Sequence, residues 1–187
     1  MATLRKATGH DAEQLGAVHV AAWKETYTSL LPEEMLSALT VEHRSAMWAH
    51  ILANPAASDD TVVFLAEDQG TIIGFGACGR QRDERLSAQG FDAEIGAIYV
   101  LRSHQHQGIG QDLMRAMAAE LQSRGFTAVA LWVLRENAAA RRFYQHLGGE
   151  IVGEKEDQRG DTTLVEAAYG WRGWRGWGLN VAQEQLL

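Results

Sequence analysis

The sequence predicts an α/β or α+β domain built on a mixed sheet, and three observations carry that prediction. Strand-like and helix-like runs follow one another in the order strand, helices, strands, strand, helix, strand, helix, strands. A helix-period repeat of Ile109, Leu113, Met117 and Leu121 separates the strand-like runs 91–101 and 127–133, which is the signature of a crossover between parallel strands. The second of those runs is apolar without alternation, as expected of a strand covered on both faces.

Thr3–Ala7 reads as a short opening strand, and Thr8-Gly9-His10-Asp11 supplies turn and helix-start chemistry. A helix over Ala12–Trp23 follows, with Leu15, Val18 and Ala22 at helical spacing. Pro32 followed by two glutamates opens another helix. Val41–Leu52 carries Met47, Ile51 and Leu52 on a helical face. After a polar loop over 54–60, the runs Thr61–Glu67 and Thr71–Cys78 flank Asp68-Gln69-Gly70 and predict an antiparallel hairpin. Arg80–Gly90 is charged and patternless, so an exposed loop is expected there. Gly125 ends the long helix that Gly108 opens. Asn137 caps a last helix bearing Phe143 and Leu147, which Gly148 and Gly149 terminate. Closing strands are expected near Glu150–Glu154 and Thr162–Trp171, with a polar turn over Asp157–Gly160.

The chain has 187 residues, of which 46% are hydrophobic and 22% charged, an ordinary globular composition. Its formal net charge of −7 argues against nucleic acid as the main partner, since phosphate binding needs clustered Lys and Arg. A single cysteine, Cys78, rules out an intramolecular disulfide and a cysteine-based metal site, and it is expected to be a buried small apolar residue. The opening residues lack an apolar core and no run approaches membrane-spanning length, so no membrane association and a cytoplasmic location are expected.

The most informative stretch is Gln105-His106-Gln107-Gly108-Ile109-Gly110, between a strand and a helix. A helix start leaves N–H groups unpaired, the helix dipole adds partial positive charge, and glycine lets a bulky anion approach the backbone. That combination suits a phosphate or pyrophosphate. No Gly-Lys-Ser/Thr follows, and Leu113 stands where a dinucleotide fingerprint has its third glycine. A tight turn without a ligand has the same sequence, so the turn alone leaves both readings open.

The surroundings narrow the choice. Ala93-Glu94-Ile95-Gly96-Ala97-Ile98-Tyr99-Val100 running into this turn resembles the central motif of the GNAT acetyltransferase superfamily, where a strand leads into Arg/Gln-x-x-Gly-x-Gly/Ala. Downstream, Asn137-Ala138-Ala139-Ala140-Arg141-Arg142-Phe143-Tyr144 is similar to the family's Asn-x-x-Ala-x-x-Phe-Tyr. The resemblance runs from about Thr3 to Trp171. It implies a GNAT fold, a mixed sheet of about six to seven strands with a splayed parallel pair. It also implies one acetyltransferase domain over residues 1–171 and a tail over 172–187. His106 stands where many members have glycine and Gln107 where many have a cation, so backbone N–H groups must do more of the phosphate binding. Gly149 replaces a common aromatic.

What the resemblance implies for chemistry is direct acetyl transfer from acetyl-CoA to a primary amine, of a small molecule or of a peptide, in a ternary complex and without a metal. Ile98, Tyr99 and Val100 would run beside the thioester arm, with the N–H near Ile98 polarising the thioester carbonyl. Gln105, His106, Gln107, Gly108, Ile109, Gly110 and Gln111 would cradle the pyrophosphate. Tyr144 would protonate the departing thiolate, Ala140 would leave room for the cosubstrate, and Asn137 would cap the helix and touch the arm. Glu94, about 13 Å before Ile98 along the strand, is the candidate base, direct or through water; a solvated strand-end carboxylate is the competing reading. Trp23, Glu25 and Tyr27 lie where the family lines its acceptor pocket, with aromatic walls suited to a cationic amine. A non-catalytic acyl-CoA-binding or regulatory domain on the same fold is the alternative function.

Gly170-Trp171-Arg172-Gly173-Trp174-Arg175-Gly176-Trp177-Gly178 is a local three-residue repeat. Its Trp and Arg side chains suit an interface, so a homodimer contact, a cover over the acceptor site and a plain tail are all open.

Overall fold

The computed structural model describes residues 2–173. Its main elements are β1 (Thr3–Lys6), α1 (Ala12–Tyr27), α2 (Glu33–Ser37), α3 (Val41–Ala53), β2 (Val62–Asp68), β3 (Thr71–Arg80) and α4 (Glu84–Ala88). They continue with β4 (Ala93–Val100), α5 (Ile109–Ser123), β5 (Ala128–Leu134), α6 (Ala138–His146), β6 (Glu150–Arg159) and β7 (Thr162–Arg172). The strands form one seven-stranded sheet in the order β1-β2-β3-β4-β5-β7-β6. Every neighbouring pair is antiparallel except β4 and β5, which are parallel and joined by the α5 crossover, as the repeat predicted.

Helices cover both faces of the sheet, and alternation along β2 shows how. Phe64 and Ala66 face the cluster formed with Ile109, Leu113, Met117 and Leu121 of α5, all nearly inaccessible. Val63 and Leu65 point the other way, into a cluster with Leu15 of α1 and Trp48 of α3. A period of two on the strand thus meets a period of 3.6 on each helix. Arg5 on β1 forks onto both oxygens of Asp11 at 2.9 and 2.7 Å, and Asp11 also accepts from the Thr8 N–H at 2.7 Å, so α1 is fixed to the edge strand at its start.

Four local expectations need correction. Helix α1 runs on past Trp23 to Tyr27. On α3 the buried side chain is Trp48, while Met47, Ile51 and Leu52 are only partly buried. The segment 80–90 is not a plain loop: Asp83 accepts from the N–H groups of Arg85 and Leu86 and starts α4, whose Leu86 is buried. One large apolar residue in a charged run gives no periodicity to read. Strand β6 extends to Arg159, so the closing turn falls at Gly160-Asp161 rather than over Asp157–Gly160. The polar residues that suggested a turn alternate about a hairpin that is largely solvent-facing. The Trp/Arg/Gly repeat from Trp174 onward lies outside the described residues.

Candidate functional site

Strands β4 and β5 begin side by side and then part. Their register contains only Ala93 opposite Val129 and Glu94 opposite Ala130. Just beyond, Ala97 faces Ala77 of β3 and Ile95 faces Cys78, leaving Gly96 unopposed as a β-bulge. A bulge bends its strand and increases local twist, which turns the second half of β4 away from β5.

The hydrogen-bond parity of that half-strand is fixed from its end. Leu101 N–H donates to the Ile73 carbonyl at 2.9 Å, continuing the β3–β4 register. Antiparallel ladders alternate bonded and non-bonded pairs. Ala97, Tyr99 and Leu101 therefore spend their backbone groups on β3, and Ile98 and Val100 direct theirs toward the gap. The Val100 carbonyl is taken by the Gln105 side chain at 2.9 Å.

Past Val100 a 3-10 turn leads to the start of α5. His106 and Gly108 both have positive φ, 61° and 84°. Gly108 is the N-cap in the left-handed region, where a Cβ would meet no neighbouring atom but would strain the backbone. Ile109, Gly110 and Gln111 then present first-turn N–H groups without helical acceptors. Gln107 folds back so that its amide donates to the Ser103 carbonyl at 3.4 Å. Gln105, His106 and Gln107 are exposed, and Ile109 is buried in the core beneath the turn.

On the β5 side of the gap, α6 starts at Asn137, whose side-chain oxygen accepts from the Ala140 N–H at 3.2 Å. One turn after Ala140, Tyr144 is 6% exposed among Phe143, Tyr169 and Trp171. Its hydroxyl has no hydrogen-bond partner among the described residues. Burial pushes the phenol well above the ordinary tyrosine range, so the group is protonated at neutral pH. Gly149, at the departure from the family's pattern, lies against the Trp171 indole: a Cβ there would come within 2.6 Å of it.

A cleft of about 520 Å³ opens beside the start of the split. Trp23 and Tyr27 of α1 line it with Tyr99 of β4, and the Tyr27 and Tyr99 hydroxyls are 3.4 Å apart. Trp132, Val133 and Leu134 of β5 form another wall. The third wall is the β6–β7 hairpin, because β5 pairs with β7 only as far as Leu134 opposite Glu166, whereas β6 and β7 pair on to Arg159 opposite Thr162. Lys155, Asp157, Leu164 and Glu166 of that overhang reach the cleft.

Charges in the cleft are largely paired off. Arg82 takes both Glu94 oxygens through Nε at 3.0 Å and Nη2 at 2.7 Å, and its backbone N–H adds a third contact. Lys155 stands 4.1 Å from the Trp132 ring centroid and bridges to Glu166 at 3.3 Å. Arg159 meets Asp157 at 2.7 Å. Glu94 is thus ion-paired with Arg82 where the two strands part, not a free solvated strand end. Glu25 does not line the cleft; its carboxylate accepts from the Arg102 N–H at 2.7 Å.

The expected residues therefore fall on two sides of one split: Ile98, Val100, the turn, Asn137, Ala140 and Tyr144 along the gap, Trp23, Tyr27 and the Tyr99 side chain in the cleft, and Glu94 where they meet. Reading along the chain missed Arg82, Trp132 and the hairpin wall, which reach the site only through sheet order. It also missed His19, although His19, Trp23 and Tyr27 follow one another at four-residue spacing on α1. Cys78 is buried, and burial pushes its thiol up to about 12, so it is an apolar filler and not a nucleophile. Among the described residues no group of three or more His, Cys, Asp or Glu side chains could hold a metal, and no helix is long and apolar enough to cross a membrane.

Comparison with known proteins agrees with this geometry. Residues 21–149 match the acetyltransferase (GNAT) family. An uncharacterized N-acetyltransferase of Bacillus subtilis, YuaI, is 31% identical over 172 residues, covering 91% of this chain and 93% of that protein. Among solved structures, the PaiA N-acetyltransferase of Thermoplasma acidophilum in complex with coenzyme A superposes with a TM-score of 0.72 at 21% identity, over 93% of this chain and 99% of that one. A putative acetyltransferase of Salmonella typhimurium with acetyl-CoA gives 0.67 at 16% identity, over 92% and 94%. The chain belongs to the GNAT acetyltransferase family.

Proposed function

We propose that this protein transfers an acetyl group from acetyl-CoA directly to an amine bound in the Trp23–Tyr27–Tyr99 cleft. The observation that carries the reading is the split after Glu94 and Ala130, with the backbone groups of Ile98 and Val100 directed into it. An extended pantetheine arm fits such a gap because it can pair with β4 as an added strand would. The first-turn N–H groups of α5 suit the pyrophosphate, and Ile98 N–H suits the oxyanion that develops as the amine attacks the thioester carbonyl. The carbon–nitrogen bond forms, the carbon–sulfur bond breaks, and Tyr144 gives its proton to the thiolate. The amine's proton leaves toward Glu94 through water, with Arg82 holding that carboxylate in place.

The test is a screen of small amines, polyamines, aminoglycosides and peptide N-termini for acetyl-CoA-dependent release of CoA thiol, run beside thermal shifts with acetyl-CoA. Acceptor-dependent thiol release together with a raised melting temperature is the expected result. A thermal shift with no thiol release for any amine supports the binding-only alternative, and no shift at millimolar acetyl-CoA overturns both.

A further inference from the structure

His19 is 6% exposed, one of the few buried polar side chains among the described residues, and the acetyl-transfer chemistry just described does not use it. It lies on α1 one turn before Trp23 and two before Tyr27. Its Nδ1 accepts from the Trp48 indole N–H at 3.1 Å. Indole nitrogen is only a donor, so Nδ1 carries the lone pair and the proton of the neutral ring sits on Nε2. Burial and the nearby Arg44 guanidinium hold the ring neutral, down to about 3. The imidazole is therefore a single tautomer, unavailable as a base at neutral pH.

Its faces are equally constrained. The ring contacts Trp48 at a centroid distance of 5.7 Å, Phe75 at 5.1 Å and Tyr99 at 5.4 Å, and with Tyr99 it is stacked at 30°. Tyr99 is the residue between Ile98 and Val100. Its backbone is spent on β3, its side chain lines the acceptor cleft, and its hydroxyl meets that of Tyr27. A displacement of the Tyr99 ring would thus move the cleft wall without moving the turn that faces the phosphates.

We propose that His19 is a positioning residue for the acceptor: tethered by Trp48, its ring fixes the Tyr99 side chain and so the shape of the cleft beside the reacting carbonyl. The proposal rests on the acetyl-transfer reading of the cleft. It assigns His19 to acceptor binding and leaves acetyl-CoA binding independent of it.

Two variants separate the tether from the stack. His19→Gln keeps an oxygen able to accept from Trp48 and removes the ring from Tyr99. His19→Phe combined with Trp48→Phe keeps a ring on Tyr99 and leaves no orphaned indole donor. Each is measured by acetyl-CoA thermal shift, by NMR of the Tyr99 ring in ring-labelled protein, and by kinetics with whichever of 2-phenylethylamine, spermidine and trialanine turns over fastest. His19→Gln is expected to release the Tyr99 ring signals and raise acceptor KM about tenfold, the equivalent of one aromatic contact. Its acetyl-CoA KM and kcat should stay within about twofold. The double Phe variant should restore the Tyr99 signals and the acceptor KM. Unchanged Tyr99 signals in His19→Gln overturn the proposal, as does a rise in acetyl-CoA KM that matches the acceptor's. If the wild type shows no acetyl-CoA shift, the acetyl-transfer reading fails, and the ring signals still decide whether His19 holds Tyr99.

Discussion

The Arg82 guanidinium grips both oxygens of Glu94, and the fork stands where β4 leaves β5. Donating to Glu94 raises the Arg82 pKa, so the cation persists across the working range. A carboxylate held by a fork still has lone pairs for a water. If that water relays the amine's proton, Glu94→Gln should depress turnover most at low pH, where the amine arrives charged. The defect should shrink above the amine's own pKa. A pH–rate profile checks this, and a profile parallel to wild type would return the pair to a structural bond between β4 and the start of α4.

Gly108 tests the anion cradle. Its φ of 84° is open to glycine, and nothing lies within 4 Å of where a Cβ would stand. Gly108→Ala should therefore carry only the left-handed backbone penalty, about 1–2 kcal/mol, seen as a modest fall in melting temperature. Gly108→Asp adds an anion facing the pyrophosphate and should abolish the acetyl-CoA thermal shift. A full shift in the Asp variant would move the phosphates away from this turn.

Tyr144→Phe should leave acetyl-CoA affinity nearly intact and lower kcat by about 10²–10⁴, the span of general acid catalysis. In the proposed reaction the hydroxyl would serve a charge that develops only as the thiolate departs. Because burial raises the Tyr144 pKa, no loss of activity from phenol ionisation should appear up to pH 10. Wild-type turnover in the Phe variant with a competent acceptor would remove the acid role.

His19 predicts an acid-sensitive fold. Its pKa is lowered from 6.5 to about 3, so the unfolded chain takes up a proton that the folded ring refuses. Its contribution to stability is present above pH 6.5 and is lost as pH falls toward 3, at up to about 1.4 kcal/mol per pH unit. Asp11 adds a second loss below 3.8, since Arg5 holds its carboxyl well under the usual range. Urea unfolding between pH 7 and 4 should show the steeper decline in wild type than in His19→Gln. Equal slopes would mean that the ring accepts a proton in place.

Much of the candidate site's local geometry could be read from the chain because it lies in contiguous segments. The Gly108 turn, the Asn137 cap and the spacing of Ala140 to Tyr144 are contiguous, and each follows from backbone geometry that a few residues dictate. Trp23 and Tyr27 are legible through the family resemblance alone, since the expected helix stops at Trp23; in the structure both lie on α1 with His19, at four-residue spacing. His19 went unread because a lone histidine on an apolar face carries no signal until its partner, Trp48 on α3, is known.

By itself the sequence determined most of the elements, α4 excepted, and the buried face of the long helix: the period of Ile109, Leu113, Met117 and Leu121 commits α5 to the core wherever it packs. It also determined the local glycine turn before α5, since positive φ at Gly108 is a property of that residue and its neighbours. Only the tertiary structure decided how far β4 and β5 stay paired, because the bulge at Gly96 arises from register against β3 and not from Gly96 alone. It alone brought Arg82 onto Glu94 and swung the β6–β7 overhang across the cleft. Those contacts join residues far apart in the chain, and their pairing is set by strand order and side-chain reach, which no local pattern encodes.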